Sequence, residues 1–201
     1  MAISTYAELK AAIADFLNRD DLTSVIPTFI SLAEAQITRD LRHWRQQRRV
    51  TTTVDEQYEN LPTDFVEMVS LRTDDDYTLE FASRGEIMRR KLDLGGTSGR
   101  PIVFTLNAGQ IEFVPTPDAS YTLEMVYYAR IPALSDTDTF NWLLTNYPDV
   151  YLYGALLHAA PYLADDVRLA VWSQLYGTAI QQANNDSRKG LYSGPLVLRN
   201  K

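Results

Sequence analysis

The sequence predicts an α+β protein: a discontinuous helical bundle, made of an N-terminal and a C-terminal helix pair, with an inserted antiparallel β lobe containing one short helix. Three observations carry this reading. Residues 1–48 and 136–189 repeat apolar side chains at 3–4 spacing. Between them, over 49–135, the period drops towards 2 and β-branched residues gather. The C-terminal helices are too apolar to stand alone and need the N-terminal pair, or a neighbouring subunit, to cover them. With 201 residues and 45% apolar content the chain can form one large domain or two small ones.

Taken in order, Thr5 and Glu8 form a capping-box pattern, and Leu9, Ala12, Ile13, Phe16 and Leu17 supply a helical face up to about Asn18. After Arg19-Asp20-Asp21, Pro27 marks the start of a second helix, in which Ile26, Ile30, Ala33, Ile37, Leu41 and Trp44 recur in helical rhythm. From Gln47 the pattern turns to strand, with Val50, Thr51, Thr52, Thr53 and Val54. Phe65–Arg72 and Tyr121–Arg130 read as strands, while Ile102–Leu106 and Gln110–Val114 flank Asn107-Ala108-Gly109, a hairpin turn with a glycine suited to positive φ. These strands predict a small antiparallel sheet. Within it, Ser83-Arg84-Gly85-Glu86 caps a short helix carrying Ile87, Met88 and Leu92, followed by the exposed loop Gly95–Gly99. Asn146, with Pro148 in the first turn, predicts the start of a helix whose face is Tyr151, Ala155, Leu156, Ala159, Tyr162 and Leu163. Asp165 and Asp166 then place negative charge at the start of a last helix carrying Val167, Val171, Leu175 and Ile180.

Residues 190–201 form an apolar tail in which Gly194 and Pro195 disfavour helix. Leu196-Val197-Leu198, left loose, would be an aggregation hazard. Two resolutions are open: the tail docks extended on another protein, or it folds back on its own bundle.

The net charge of −7 sits mainly in the middle, since residues 51–135 carry 7 basic and 14 acidic side chains. That balance argues against a protein whose main affinity comes from neutralising phosphates. There is no cysteine, so neither a disulfide framework nor a thiolate metal site exists, which suits a reducing cytosol. No run reaches the roughly 18 apolar residues a membrane span needs, so the chain reads as unexported and membrane-free.

No catalytic constellation emerges. His43 and His158 stand in different elements without a second histidine at helical spacing, which predicts packed side chains, no metal and no cofactor. Asp74-Asp75-Asp76 lacks calcium-loop spacing and reads as a solvated turn. A hydrolase would need carboxylates such as Asp64 and Glu67 to converge in a cleft, which nothing in the spacing demands. One charged series has periodic order: Arg39, Arg42, Arg45, Arg48 and Arg49, drifting around the second helix. It is either a docking stripe for an acidic surface or for nucleic acid, or a solvated helix end with cations near the negative dipole.

Three segments carry a family likeness: Tyr58-Glu59-Asn60-Leu61-Pro62-Thr63-Asp64-Phe65-Val66-Glu67, the run Asn141–Leu156, and Ala159-Ala160-Pro161-Tyr162-Leu163. Here the chain resembles the head-to-tail adaptors of tailed bacteriophages, the connector, gatekeeper or tail tubular protein A-like group. The resemblance implies a non-enzymatic virion protein, assembled in the host cytoplasm and free as a monomer or a ring. Twelve copies would sit beneath the portal protein, close the filled head and present a platform for a tail or nozzle protein. DNA would pass the acidic lobe without specific binding. The resemblance also implies that Leu191, Tyr192, Pro195, Leu196, Val197, Leu198 and Arg199 form a tail that docks on the portal. A nucleic-acid-binding module using Arg39, Arg42, Arg45, Arg48 and Arg49 is the alternative, distinguished by a steep salt dependence.

Overall fold

The described residues form six α-helices, α1 (Tyr6–Leu17), α2 (Ile26–Asp40), α3 (Arg84–Leu94), α4 (Trp142–Asn146), α5 (Pro148–Ala159) and α6 (Leu169–Leu191), and seven strands, all of which lie between α2 and α4. The strands are β1 (Gln47–Val54), β2 (Tyr58–Asn60), β3 (Phe65–Thr73), β4 (Glu80–Phe81), β5 (Val103–Asn107), β6 (Gln110–Val114) and β7 (Tyr121–Ala129). The computed structural model describes residues 3–163 and 168–191. Packing divides the chain into a helical unit, which runs to Arg45 and resumes at Ile131, and a β unit, Gln46–Arg130.

In the helical unit, the Thr5 hydroxyl accepts from the Glu8 N–H at 3.3 Å and the Glu8 carboxylate accepts from the Thr5 N–H at 3.0 Å, so the capping box forms as the sequence predicts. Asn18, at φ 53°, ends α1 in the left-handed region that asparagine tolerates. The apolar α5 lies at the centre, packed against α1, α2, α4 and α6. Val150, Tyr151, Leu152, Ala155, Leu156 and Ala159 are all buried, so α5 is covered on most sides and not along one stripe. Gly154 is where α2 and α6 converge on it: a Cβ there would lie 3.2 Å from Ala33 Cβ and 3.3 Å from Tyr176 Cε2.

Gly154→Val is therefore expected to overpack this junction and cost about 2 kcal/mol. Gly154→Ala should cost less, because its helix propensity returns up to about 1 kcal/mol. Trp44, Trp142 and Trp172 are the three tryptophans and all belong to the helical unit, so urea unfolding followed by tryptophan fluorescence isolates its stability. An unchanged midpoint for the valine variant would mean that the two helices do not meet at Gly154.

Four expectations for the helices are corrected. The helix end expected at Trp44 falls at Asp40, and Leu41 is extended with φ −94° and ψ 130°. α6 takes over the backbone there: Asn184 accepts from the Arg42 N–H and donates to the Asp40 carbonyl, while Ser187 Oγ accepts from the Trp44 N–H at 2.8 Å. Asn146 is not the cap of a long helix. Asn141 caps the short α4, Asn146 donates to the Trp142 carbonyl, and Tyr147 precedes Pro148 at the start of α5. Tyr162, expected on the buried face, is exposed beyond the end of α5. In α6 the buried face is Trp172, Tyr176, Ala179, Ile180, Ala183 and Ser187, whereas Val171 and Leu175 face outward. Asp165, Asp166 and Val167 lie outside the described residues.

In the β unit, β1, β7 and β3 form one antiparallel sheet in that order. A second sheet has the order β2-β6-β5-β4. The single antiparallel sheet expected from the sequence is thus two, and β4 runs parallel to β5 because α3 connects them as a crossover. Leu123, Met125, Tyr127 and Ala129 alternate inward along β7 and join Leu71, Phe104, Ile111 and Phe113 in the core. Ala108 (φ 50°) and Gly109 (φ 82°) make the predicted hairpin turn between β5 and β6, with both residues at the positive φ that a two-residue hairpin favours. The Ser83 hydroxyl caps α3 and Gly95, at φ 59°, ends it.

Candidate functional site

The helical unit is organised around a buried polar network at Asn141. Its Oδ1 accepts from the Leu144 N–H at 2.9 Å, and its Nδ2 donates to the Pro132 carbonyl at 2.9 Å and to Tyr151 Oη at 2.7 Å. Tyr151 also interacts electrostatically with Glu34, whose Oε1 accepts from the Leu134 N–H at 2.7 Å. Burial raises the Glu34 carboxyl above the usual carboxylate range, against the lowering effect of that N–H, and raises the Tyr151 hydroxyl. One asparagine thus ties the segment after β7 to α2, α4 and α5.

A second cluster fixes the end of α6. His43 is 2% exposed, and its ring packs against Trp44, Trp142 and Tyr147 at centroid distances of 5.7, 5.1 and 5.8 Å. Its Nδ1 accepts from the Arg45 N–H at 3.1 Å. Gly190 lies so close to Trp44 that a Cβ would stand 2.7 Å from the indole Nε1. Sequence reading placed Gly190 and Leu191 in the extended tail; both belong to α6, and Gly190 is the residue that lets the last turn approach Trp44. Tyr192, Pro195, Leu196, Val197, Leu198 and Arg199 lie outside the described residues.

The arginine series does not form one helical face. Arg39 stands on the last turn of α2. Arg42 donates to the carbonyls of Thr38 and Leu41 at 2.9 and 2.8 Å, closing the end of α2. Arg45 sits in the 3₁₀ turn Trp44–Gln46 with its guanidinium 5.4 Å from the Trp44 ring centroid. Arg48 and Arg49 belong to β1, where neighbouring residues point to opposite faces, and they pair with Asp64 and Glu124. The spacing of three that suggests a helical stripe continues past the residue where the helix stops.

The acidic candidates are equally structural. Asp64 accepts from Tyr127 Oη at 2.9 Å and pairs with Arg48 at 2.8 Å, while Glu67 stands on β3. Asp75 bonds Thr73 and Arg100, which hold its carboxyl below the usual range, with the threonine hydrogen bond the largest cause. Among the described residues no group of three or more metal-ligating side chains forms, and no helix is long and apolar enough to cross a membrane.

Both histidines are held below the ordinary histidine pKa, first by burial; Arg45 adds to this at His43, against Asp186, and Arg39 adds to it at His158. Such a histidine binds its proton more readily in the unfolded chain. Its contribution is complete above the unfolded pKa of about 6.5 and is lost as pH falls below that value. The helical unit is therefore expected to show a lower urea midpoint at about pH 5.5 than at about pH 7.5. Glu34, shifted upward, works in the opposite sense, so the His43→Gln/His158→Gln double variant is the decisive control. It should flatten the difference; an equal fall in that variant would assign the effect to other groups.

The Asn141 network lies within one of the three segments that carried the family resemblance, and in another the Phe65 N–H donates to the Pro62 carbonyl at 3.0 Å. The sequence profile of the SU10 adaptor protein family matches residues 4–199. The chain belongs to this family. The match takes in both units and extends beyond α6 into the C-terminal segment. No curated protein matches the chain. The SU10 adaptor family is one of phage head-to-tail adaptors, structural proteins and not an enzyme family, with a place at the head-tail junction of the virion.

Proposed function

We propose that this SU10 adaptor family member is the subunit of a ring that assembles on the portal, closes the DNA-filled head and offers the surface to which a tail or nozzle protein attaches. Residues 192–201 dock on the portal, with Tyr192, Pro195, Leu196, Val197, Leu198 and Arg199 making the contact and Leu191 at the joint. The observation that carries this reading is the family match across residues 4–199, which continues into that apolar segment. Supporting it, α6, the element that precedes this segment in the chain, is anchored at its far end by Asn184, Ser187 and Gly190. A docking peptide that starts from a rigid element loses less entropy on binding. The excess of acids over residues 51–135 suits a channel through which DNA slides, since like charge disfavours contact.

The nucleic-acid reading loses its stripe, because Arg48 and Arg49 are committed to ion pairs and Arg42 to carbonyls. Mass photometry of purified portal rings mixed with the protein tests the proposal. It expects a discrete mass increment corresponding to one full ring of about twelve copies per portal, the ring being heterologous and closed. Portals that remain bare at micromolar protein would contradict it.

A further inference from the structure

β1 and β3 are the two edges of the three-stranded sheet, flanking β7, and a long open edge is a template for another strand. β3 is guarded. Its pairing with β7 shifts register twice, between Phe65 and Glu67 and between Met68 and Ser70, and its Leu71 carbonyl accepts from the Leu79 N–H. β1 pairs with β7 without a shift over all eight of its residues, and among the described residues no strand lies on its other side. The direction of its backbone groups follows from β7. The Thr122 carbonyl accepts from the Asp74 N–H, and the Arg130 N–H, just past β7, donates to the Asp64 carbonyl, so the even-numbered residues of β7 bond towards β3 and the odd-numbered ones towards β1. Leu123 and Met125 are opposite Thr52 and Val50. Arg49, Thr51 and Thr53 therefore turn their N–H and C=O groups to the open edge, and all three are exposed. Val50 and Thr52 point to the core side, where they line a cavity of about 260 Å³ with the buried Leu71, Phe113 and Leu123.

We infer that this edge is a self-association surface: β1 pairs antiparallel with β1 of a second copy, joining the two three-stranded sheets into one across a two-fold axis. Two constraints select a single register. A two-fold normal to the sheet keeps the core sides together, so core-side residues face core-side residues, and a slip of one residue is forbidden. Charge then chooses among the registers that remain. Centring the pair on Thr52 sets Val50 opposite Val54, Arg49 opposite Asp55 and Arg48 opposite Glu56 of the second copy. Centring it on Thr51 would leave the arginines opposite Thr53 and Val54. Asp55 and Glu56 are exposed and make no ion pair among the described residues. Arg48 and Arg49 hold Asp64 and Glu124, yet their side chains stay 56% and 71% exposed, which leaves each open to a second carboxylate. Two arginines on an edge deter an arbitrary strand; opposite these acids they fix one register instead. The inference is independent of the ring reading. A single ring of rotated copies contains no such two-fold, so the dimer belongs to protein away from the portal.

The chain has no cysteine, so a single introduced one reports on its own mate. Facing Thr52 residues form a non-hydrogen-bonded pair with Cα atoms about 4.5 Å apart, within disulfide reach. Thr52→Cys, mildly oxidised without portals, is expected to give a disulfide-linked dimer. Thr51→Cys should stay single, because its mate lies two residues further along the strand, beyond the roughly 7 Å that a disulfide spans. Sedimentation velocity of the wild-type protein should show twice the chain mass. Asp55→Arg and Arg49→Asp should each weaken association at least about tenfold, and the double variant should restore it. Should a charge variant misfold by circular dichroism, the two cysteine variants still decide. Linking through Thr51→Cys and not Thr52→Cys overturns the register, and a single-chain mass with neither variant linking overturns the dimer. Protein that stays single yet fills portals overturns the dimer alone; a dimer that never occupies portals overturns the ring reading alone.

Discussion

Asn141→Ala is expected to cost the helical unit about 3 kcal/mol, from a lost cap of about 1 kcal/mol and buried groups left unpaired at about 1–3 kcal/mol. Asn141 is 7% exposed, and two of its three side-chain hydrogen bonds end on the buried residues Leu144 and Tyr151, the third on the carbonyl of the exposed Pro132. Alanine would leave the Leu144 N–H without its cap and the Pro132 carbonyl without its donor. It would also leave Tyr151 Oη, which is fully buried, with Glu34 as its partner. Asn141→Asp keeps the capping oxygen and loses the donor, placing a carboxylate near Glu34, so it should be at least as damaging. Tyr151→Phe removes one arm of the network and should cost about 1 kcal/mol. Urea unfolding by tryptophan fluorescence measures each. A loss below about 1 kcal/mol for Asn141→Ala would show that water replaces the side chain and that the network does not organise the unit.

Removing residues 192–201 is expected to abolish attachment to the portal while leaving the circular-dichroism spectrum and the melting temperature nearly unchanged. The structure sets where to cut. A truncation before Gly190 would remove the turn of α6 that meets Trp44 and would confuse loss of docking with damage to the helical unit. Cutting after Leu191 keeps that turn. The segment holds Leu196-Val197-Leu198 beside Arg199 and Lys201, enough apolar side chains for several kcal/mol of contact at about 1.5–3 kcal/mol each when fully buried. Portal binding by the truncated protein that equals the full-length protein would remove the docking role from this segment.

Where structure follows from neighbours in sequence, the reading was straightforward. The Thr5–Glu8 box and the Ala108-Gly109 turn depend on a few adjacent residues and form as expected, while of the capping box expected at Ser83 and Glu86 only the Ser83 half forms, Glu86 pairing with Arg90. What the sequence concealed depends on distant partners. Leu41 and Trp44 keep the helical rhythm of α2, but Asn184 and Ser187 of α6 satisfy the backbone from Asp40 to Trp44 in another conformation. The arginine stripe failed with that helix end. In α6, counting aliphatic residues chose Val171 and Leu175 along with Ile180, whereas the core selected Trp172, Tyr176, Ala179 and Ala183 beside Ile180. Tyr176 is buried because its hydroxyl reaches Asp40 at 3.0 Å, a partner no local pattern reveals. Asn141 was overlooked because Pro148 drew attention to Asn146, although both asparagines precede helical turns. β2 and β4, with three and two residues, are too short to show a period. The family likeness carried the functional reading further than any site chemistry.

The central claim is that this adaptor acts by joining copies of itself around the portal of a filled head. Electron microscopy of DNA-filled, tailless heads incubated with the purified protein tests it most directly. The account predicts a closed ring of added density at the portal vertex and nowhere else on the capsid. Heads whose portal vertices look the same with and without the protein would contradict it.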